Sequence, residues 1–506
     1  MDVHFHFNYF TALIFLVPLI FFLLQIKKLI KSKAHKKFPP GPKKLPILGH
    51  LHLISSLPFR SYRDLANTYG PIMQLQLGEV PIVVISSPEI AKSVLKDHDP
   101  IFADRPESIA LEVMWYDYID IAFSPYGDYW RQMRKICIMK LLSPKNVRSH
   151  GSIRSDEVSH LVKSIKSSSG EPINLSEKIS SLTSSITCRA AFGKVCKESG
   201  TYIKLLNEGI KLAGGIVIAD FFPSSKILNC LSWSKIRLLM MRRKLDVILD
   251  NIINEHKDSS RKCNGEFGDE DLVDILLRVK ESGELNIPIN DDNIKAIVYD
   301  IFSGGTETSS TTIDWTMAEL MKNPRVMAKA QAEVREIFNE SEIIDENTTR
   351  KLKYLKLVIK EALRLHPPIP IIPRSSREEC EINGYTIPFK VKVFVNIWAM
   401  QRDPKYWSNP ESFEPERFEK GSFEFIGGDF EYLPFGSGRR ACPGMTFGLA
   451  NVELPLAQLL YNFDWKLCNG IKPGDLNTIE NPGITTSRKE NLYVIATPYE
   501  YVCESH

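Results

Sequence analysis

The segment "PFGSGRRACPG", Pro434–Gly444, places one thiol, Cys442, among three glycines, two prolines and two arginines. Three chemistries compete for such a loop. A nucleophilic cysteine needs a histidine base beside it. The histidines nearest in sequence are His366, where "RLHPP" reads as a helix end, and His506 in the terminal tail. Neither reads as a positioned base. A phosphate cradle needs the pattern G-x-x-x-x-G-K-[ST], which is absent. A thiolate metal ligand needs positive charge and hydrogen-bond donors around the sulfur. Glycines let backbone N–H groups approach it, and arginines pair with acidic groups on a cofactor.

Two further segments carry chemistry. "SGGTETSS", Ser303–Ser310, interrupts a helical pattern over Asp291–Met321 marked by Ile294, Ile297, Val298, Ile301 and Phe302. Each glycine costs a helix ~1 kcal/mol against alanine, and the hydroxyls that follow can bend one. Two readings fit. Either the helix ends in a loop and restarts at a Thr306 cap, or it is one kinked helix. In the second reading an opened turn leaves room for a small ligand or water beside Glu307 and Thr308. In "EALRLHPP", Glu361 and Arg364 share one helix face. Alone, such a pair reads as a solvated salt bridge.

The elements that must position these groups are mostly helical. Val147–Lys280 reads as helices broken near 167–170, 221–225 and 257–268. "PIMQLQLGEVPIVVISS", Pro71–Ser87, reads as two short strands around Gly78-Glu79. A helix follows with Ser87 as cap and Pro88 at its first position. Gly384–Trp398 alternates and is β-rich. The fold class is therefore mainly α with small β-sheets, in a single large domain. The chain has 506 residues, 43% hydrophobic and 25% charged, enough for a large core and an enclosed ligand.

No charged residue occurs from Val3 to Ile26, a stretch that as a helix reaches ~36 Å and spans a bilayer. A cleaved signal peptide needs a basic start and a small-residue cleavage site. Here the start holds Asp2 and the apolar run ends in lysines. Residues 1–26 thus read as an uncleaved anchor, 27–45 as a basic, proline-rich hinge and 46–506 as the catalytic body. Lysine excess after the span keeps that body cytosolic. Six lysines precede Phe38, and without them the chain is slightly acidic, which argues against nucleic acid. Nine scattered cysteines without a C-x-x-C pair exclude a zinc ribbon and suit a reducing compartment.

Phe435, Gly438, Arg440, Cys442 and Gly444 fill F-x-x-G-x-R-x-C-x-G, which resembles the haem-thiolate signature of the cytochromes P450. "GGTETS" is similar to that family's oxygen-activation motif. Glu361 and Arg364 resemble its E-x-x-R pair, joined by Arg417 of "FEPERF". "WRQMR", with Trp130 and Arg134, resembles its W-x-x-x-R helix, and Arg374 resembles a propionate ligand. "PPGP" resembles the hinge of membrane-bound members. The texture is similar to plant microsomal members, within them to those that hydroxylate terpenoids and some indole alkaloids.

The resemblance implies a cytochrome P450 fold and haem b, with Cys442 as iron ligand. A single thiolate on haem iron favours O–O cleavage. It implies Thr308 and Glu307 as the proton relay, and Trp130, Arg134, Arg374, Arg440 and Phe435 as haem contacts. NADPH would act through cytochrome P450 reductase, with cytochrome b5 as a further partner and the endoplasmic reticulum membrane as location. Lys135, Lys140 and Arg439 read either as a reductase-docking surface or as an ordinary solvated face. By position, the pocket candidates are Met114, Phe123, Ile297, Ile301, Gly305, Ile369, Ile372, Ile484 and Thr485. They are mostly apolar, so an apolar substrate is expected, most simply a sesquiterpene or diterpene, with an indole alkaloid as alternative. Two rivals keep the haem: an enzyme that rearranges hydroperoxides, and a non-catalytic haem-binding membrane protein. The intact Glu307-Thr308 pair and unbroken cysteine loop count against both.

Overall fold

The computed structural model describes residues 37–500 except 194–198, 215–216, 226–227, 229–232, 261–269, 284, 342–343, 420, 422 and 426–427. The anchor expected at 1–26 and the first part of the hinge lie outside these residues. No described helix is long and apolar enough to cross a membrane.

Helices dominate. The longest described one, the central helix, spans Asp291–Lys322. Asn290 caps it, its side chain accepting from Asn293 N–H at 3.0 Å while Asn293 answers from Asn290 N–H at 2.8 Å. The nine strands among the described residues are β1 (Ile72–Leu77), β2 (Val80–Ile85), β3 (Pro172–Asn174), β4 (Ile371–Ser375), β5 (Cys380–Ile382), β6 (Tyr385–Ile387), β7 (Lys392–Asn396), β8 (Phe463–Leu467) and β9 (Tyr493–Pro498). They form three small sheets, ordered β1-β2-β7-β4, β3-β9-β8 and β5-β6. The predicted β1–β2 hairpin is present. So is the helix from Pro88, with Ser87 Oγ accepting from Ile90 N–H.

The central helix runs unbroken through Ser303–Ser310, so the reading with a loop and a restart at a Thr306 cap is overturned and the reading as one helix stands. The reason is burial. Its first half, with Ile294, Ile297, Val298 and Phe302, packs into one apolar cluster with Met114, Trp115 and Leu245. Its second half, with Ile313, Met317 and Leu320, packs into another with Ile186, Leu363 and Leu456. Each such side chain contributes ~1.5–3 kcal/mol, so the two glycines, at ~1 kcal/mol each, cannot break it. The described end of the proline-rich hinge is tied to the first sheet. Gln74 N–H of β1 donates to Pro40 O at 2.8 Å. A Cβ on Gly41 would lie 2.1 Å from Gln74 O, so only glycine permits that approach.

Helix Trp233–Ser260 also runs past Lys257, where the sequence pattern places a loop. Cys137, Cys188 and Cys468 are buried as small apolar groups.

Candidate active site

The loop carrying Cys442 ends where helix Met445–Asn462 begins. Cys442 N–H donates to Phe435 O at 2.9 Å, closing the loop on itself. Phe435 is partly buried and meets Phe425 edge-on at 5.8 Å. Gly438 has φ +71°, and a Cβ there would fall 2.3 Å from Leu95 O. Burial pushes the Cys442 thiol up, while the Gly444 N–H and the Arg134 charge pull it down. The backbone N–H and the Arg134 charge thus favour the thiolate, as the sequence argument requires, while burial opposes it. A coordinated metal cation would deprotonate such a thiol outright.

Around this loop four guanidinium groups converge. Arg374 is 1% exposed and Arg440 6%. Arg134 Nη2 donates to Ala441 O at 2.6 Å. Arg105, which no motif singled out, donates to Ala122 O at 3.0 Å and Pro373 O at 2.6 Å. Burial, then the charges of Arg440 and Arg134, lower Arg374 to about 9 against the pull of Asp99. Burial, then Arg105, lowers Arg440 to about 9. Burial and Arg374 push Arg105 well down. The Arg374 Nε is buried without a partner. Such a cluster is costly unless anions join it. Two carboxylates beside a single thiol would satisfy it, so the donor set fits a haem with its two propionates.

Trp130 lies inside this cluster, with Arg440 4.3 Å and Arg134 5.3 Å from its ring. Its indole N–H donates to Ile121 O at 2.9 Å.

On the central helix, Thr308 Oγ1 donates to Gly304 O at 2.5 Å. Thr485 Oγ1 donates to Glu307 Oε1 at 3.3 Å. Burial raises the Glu307 carboxyl, with the Thr485 hydroxyl opposing. A side chain on Gly305 would press on Phe447 at 3.1 Å. Met114, Phe123, Ile297, Ile301 and Ile484 gather in one apolar cluster. Ile369 is half-buried just before β4. Ile372 belongs instead to the sheet core with Val393 and Val395, although its tip lies near Gly436 of the cysteine loop.

Behind the site, Glu361 and Arg364 are fully buried and doubly bonded at 2.8 and 2.9 Å. Arg417 Nε adds a third bond to Glu361 at 2.9 Å. The pair is thus the reverse of a solvated salt bridge. Lys135 and Lys140 are exposed, while Arg439 pairs with Asp99 at 2.8 Å.

Comparison with known proteins agrees with this geometry. The family model described as Cytochrome P450 matches residues 39–494. The chain is 56% identical to premnaspirodiene oxygenase of Hyoscyamus muticus over 97% of its length and 99% of that protein. It is 55% identical to 5-epiaristolochene 1,3-dihydroxylase of Nicotiana tabacum, over 97% and 99%. A zebra fish cytochrome P450 solved with abiraterone superposes with TM-score 0.75 at 24% identity, covering 88% of this chain and 100% of that one.

Proposed function

The chain belongs to the cytochrome P450 family and is a haem-dependent monooxygenase, and from that premise we propose that it hydroxylates a terpenoid hydrocarbon of sesquiterpene type. The observation that carries this reading is the near full-length similarity to two enzymes named for oxidising premnaspirodiene and 5-epiaristolochene. The apolar cluster of Met114, Phe123, Ile297, Ile301 and Ile484 supports it, because such a wall selects for shape and apolarity rather than for polar groups.

In this reading Cys442 holds the iron, and Arg105, Arg134, Arg374 and Arg440 hold the propionates, with Trp130 and Phe435 packing beside them. When bound, haem supplies oxygen activation, and the protein binds, orients and excludes water. The pocket residues orient one carbon of the substrate. Burial holds a proton on the Glu307 carboxyl, the Thr485 hydroxyl orients that carboxyl and eases the proton's release, and the proton passes towards the Thr308 hydroxyl. Electrons come from NADPH through a reductase docked near Lys135 and Lys140. The body sits on the cytosolic face of the endoplasmic reticulum, tethered by residues 1–26.

The test is turnover in microsomes carrying the full chain and a plant reductase. Premnaspirodiene, 5-epiaristolochene, a diterpene and an indole alkaloid are supplied with NADPH, and products are weighed by mass spectrometry. One added oxygen on a sesquiterpene, dependent on NADPH, is the expected result. Oxidation of the alkaloid alone would overturn the substrate class.

A further inference from the structure

The loop that follows Ile119 serves both halves of the site. Ile121 O accepts from Trp130 and Arg440, Ala122 O accepts from Arg105, and Phe123 lies against the apolar cluster. Two carboxyls tie this loop to the central helix. Asp300 Oδ2 accepts from Ile121 N–H at 2.6 Å and Ala122 N–H at 3.1 Å. Asp120, with no exposed surface, accepts from Phe123 N–H at 2.7 Å through Oδ2. Its other oxygen, Oδ1, is buried and has no partner as an acceptor.

The charges around the pair explain that oxygen. Neither aspartate forms an ion pair among the described residues. Arg440, from the cysteine loop, and Arg105, from the chain before it, face Asp120, but their N–H groups go to backbone carbonyls. Tyr129 and Cys137, from the Trp130 helix and its continuation, are each pushed up to about 12 by burial and stay neutral. Tyr299, the neighbour of Asp300 on the central helix, is also raised by burial. Trp115 points its indole towards Asp300. Two adjacent buried carboxyls cannot both ionise. A proton on Asp120 Oδ1 turns the orphan acceptor into a donor aimed at Asp300, which the two amides hold as the anion.

We propose that Asp120 and Asp300 share one proton and latch the 120–123 loop onto the central helix, so that Asp120 is a positioning residue for the pocket wall. The proposal rests on reading that loop as a wall of the site, but not on the substrate class. Burial and the Asp300 charge raise Asp120 strongly. Burial raises Asp300 to about 6 against the pull of the two amides. As pH falls through that value, Asp300 takes up a second proton and loosens its hold on the amides. The shared-proton state therefore spans neutral pH.

The experiment uses the full-length holoenzyme and two readouts. The first is the infrared difference spectrum between wild type and Asp120→Asn at neutral pH. Other buried acids cancel, and a protonated-carboxyl band present only in wild type is expected. The second is the dissociation rate of 4-phenylimidazole, an apolar azole that reports pocket closure for any substrate class. Asp120→Asn still donates to Asp300 and stays within about twofold of wild type. Asp120→Leu and Asp300→Asn each dissociate roughly tenfold faster, the size of one charge-assisted hydrogen bond. In wild type the rate rises below about pH 6, and in Asp300→Asn that rise is gone. Absence of the band, or equal rates for Asp120→Asn and Asp120→Leu, would overturn the proposal while leaving the monooxygenase reading intact.

Discussion

Replacing Arg364 with alanine tests how the buried ion cluster supports the cysteine loop. Arg364 Nε and Nη2 close two bonds on Glu361, and Nη1 donates to Gln401 O at 2.7 Å and Pro410 O at 2.8 Å. The Gln401 side chain in turn accepts from Leu433 N–H at 3.0 Å, next to the start of the cysteine loop. Removing the guanidinium leaves Glu361 buried with one remaining cationic partner, Arg417, and strips the Gln401 carbonyl of its donor. Breaking a buried pair in this way costs ~3–5 kcal/mol. That is a large share of a typical total stability of ~5–15 kcal/mol. Arg417→Ala differs, because Glu361 keeps both bonds from Arg364 and the N–H of Glu414 at 2.9 Å. The lost bond to Glu361 costs ~1.5–3 kcal/mol, and the other Arg417 bonds, to the carbonyls of Ser408, Asn409 and Ser412, lie at an exposed edge where water replaces them. The assay is urea unfolding of both variants, followed by circular dichroism and by the haem spectrum. Arg364→Ala should lose stability by the larger step and lose haem before the helices melt. Equal midpoints for the two variants would refute the reasoning.

Other outcomes follow from the same geometry. Thr485→Val removes the hydroxyl that stabilises the Glu307 carboxylate. Glu307 then keeps its proton to higher pH, and the alkaline limb of the kcat profile, where that proton is lost, moves up, while Thr485→Ser keeps the wild-type profile. Arg105→Leu removes one cation from the propionate cluster, so apoprotein titrated with haemin should bind more weakly than wild type, by several-fold, with unchanged helix content. His256 Nε2–H donates to Asp271 Oδ2 at 2.8 Å. Burial opposes its charge, but the bond to Asp271 and that carboxylate's charge win and raise it from 6.5 to about 9. Its stabilising effect is thus complete below pH 6.5 and lost as pH rises through about 9. His256→Gln should lower the unfolding midpoint at pH 6 and hardly change it at pH 10.

Much of this site was legible because its chemistry is local in sequence. The cysteine loop, the Glu307-Thr308 pair and the E-x-x-R pair each place their groups within a few residues. What escaped was set by packing. Nothing in "ADRP" marks Arg105 as one of four clustered guanidinium groups. Asp120 and Asp300 lie 180 positions apart, and only the folded loop brings them together. The sequence left open whether the central helix breaks at Gly304-Gly305, because glycine propensity is local, whereas the apolar faces that hold the helix are distributed along its length. Thr485 was placed in the pocket by position alone, and its bond to Glu307 gives it a chemical role. The burial of Glu361 and Arg364 could not be read from their spacing, which is the same on a wet surface.

The central claim is that Cys442 is the thiolate ligand of a haem. The most direct measurement is the carbon monoxide difference spectrum of the reduced full-length protein, taken for wild type and Cys442→Ser in the same membranes. The wild type should give the thiolate-ligated band, and Cys442→Ser should lose it together with turnover. A serine variant that kept both would contradict the assignment.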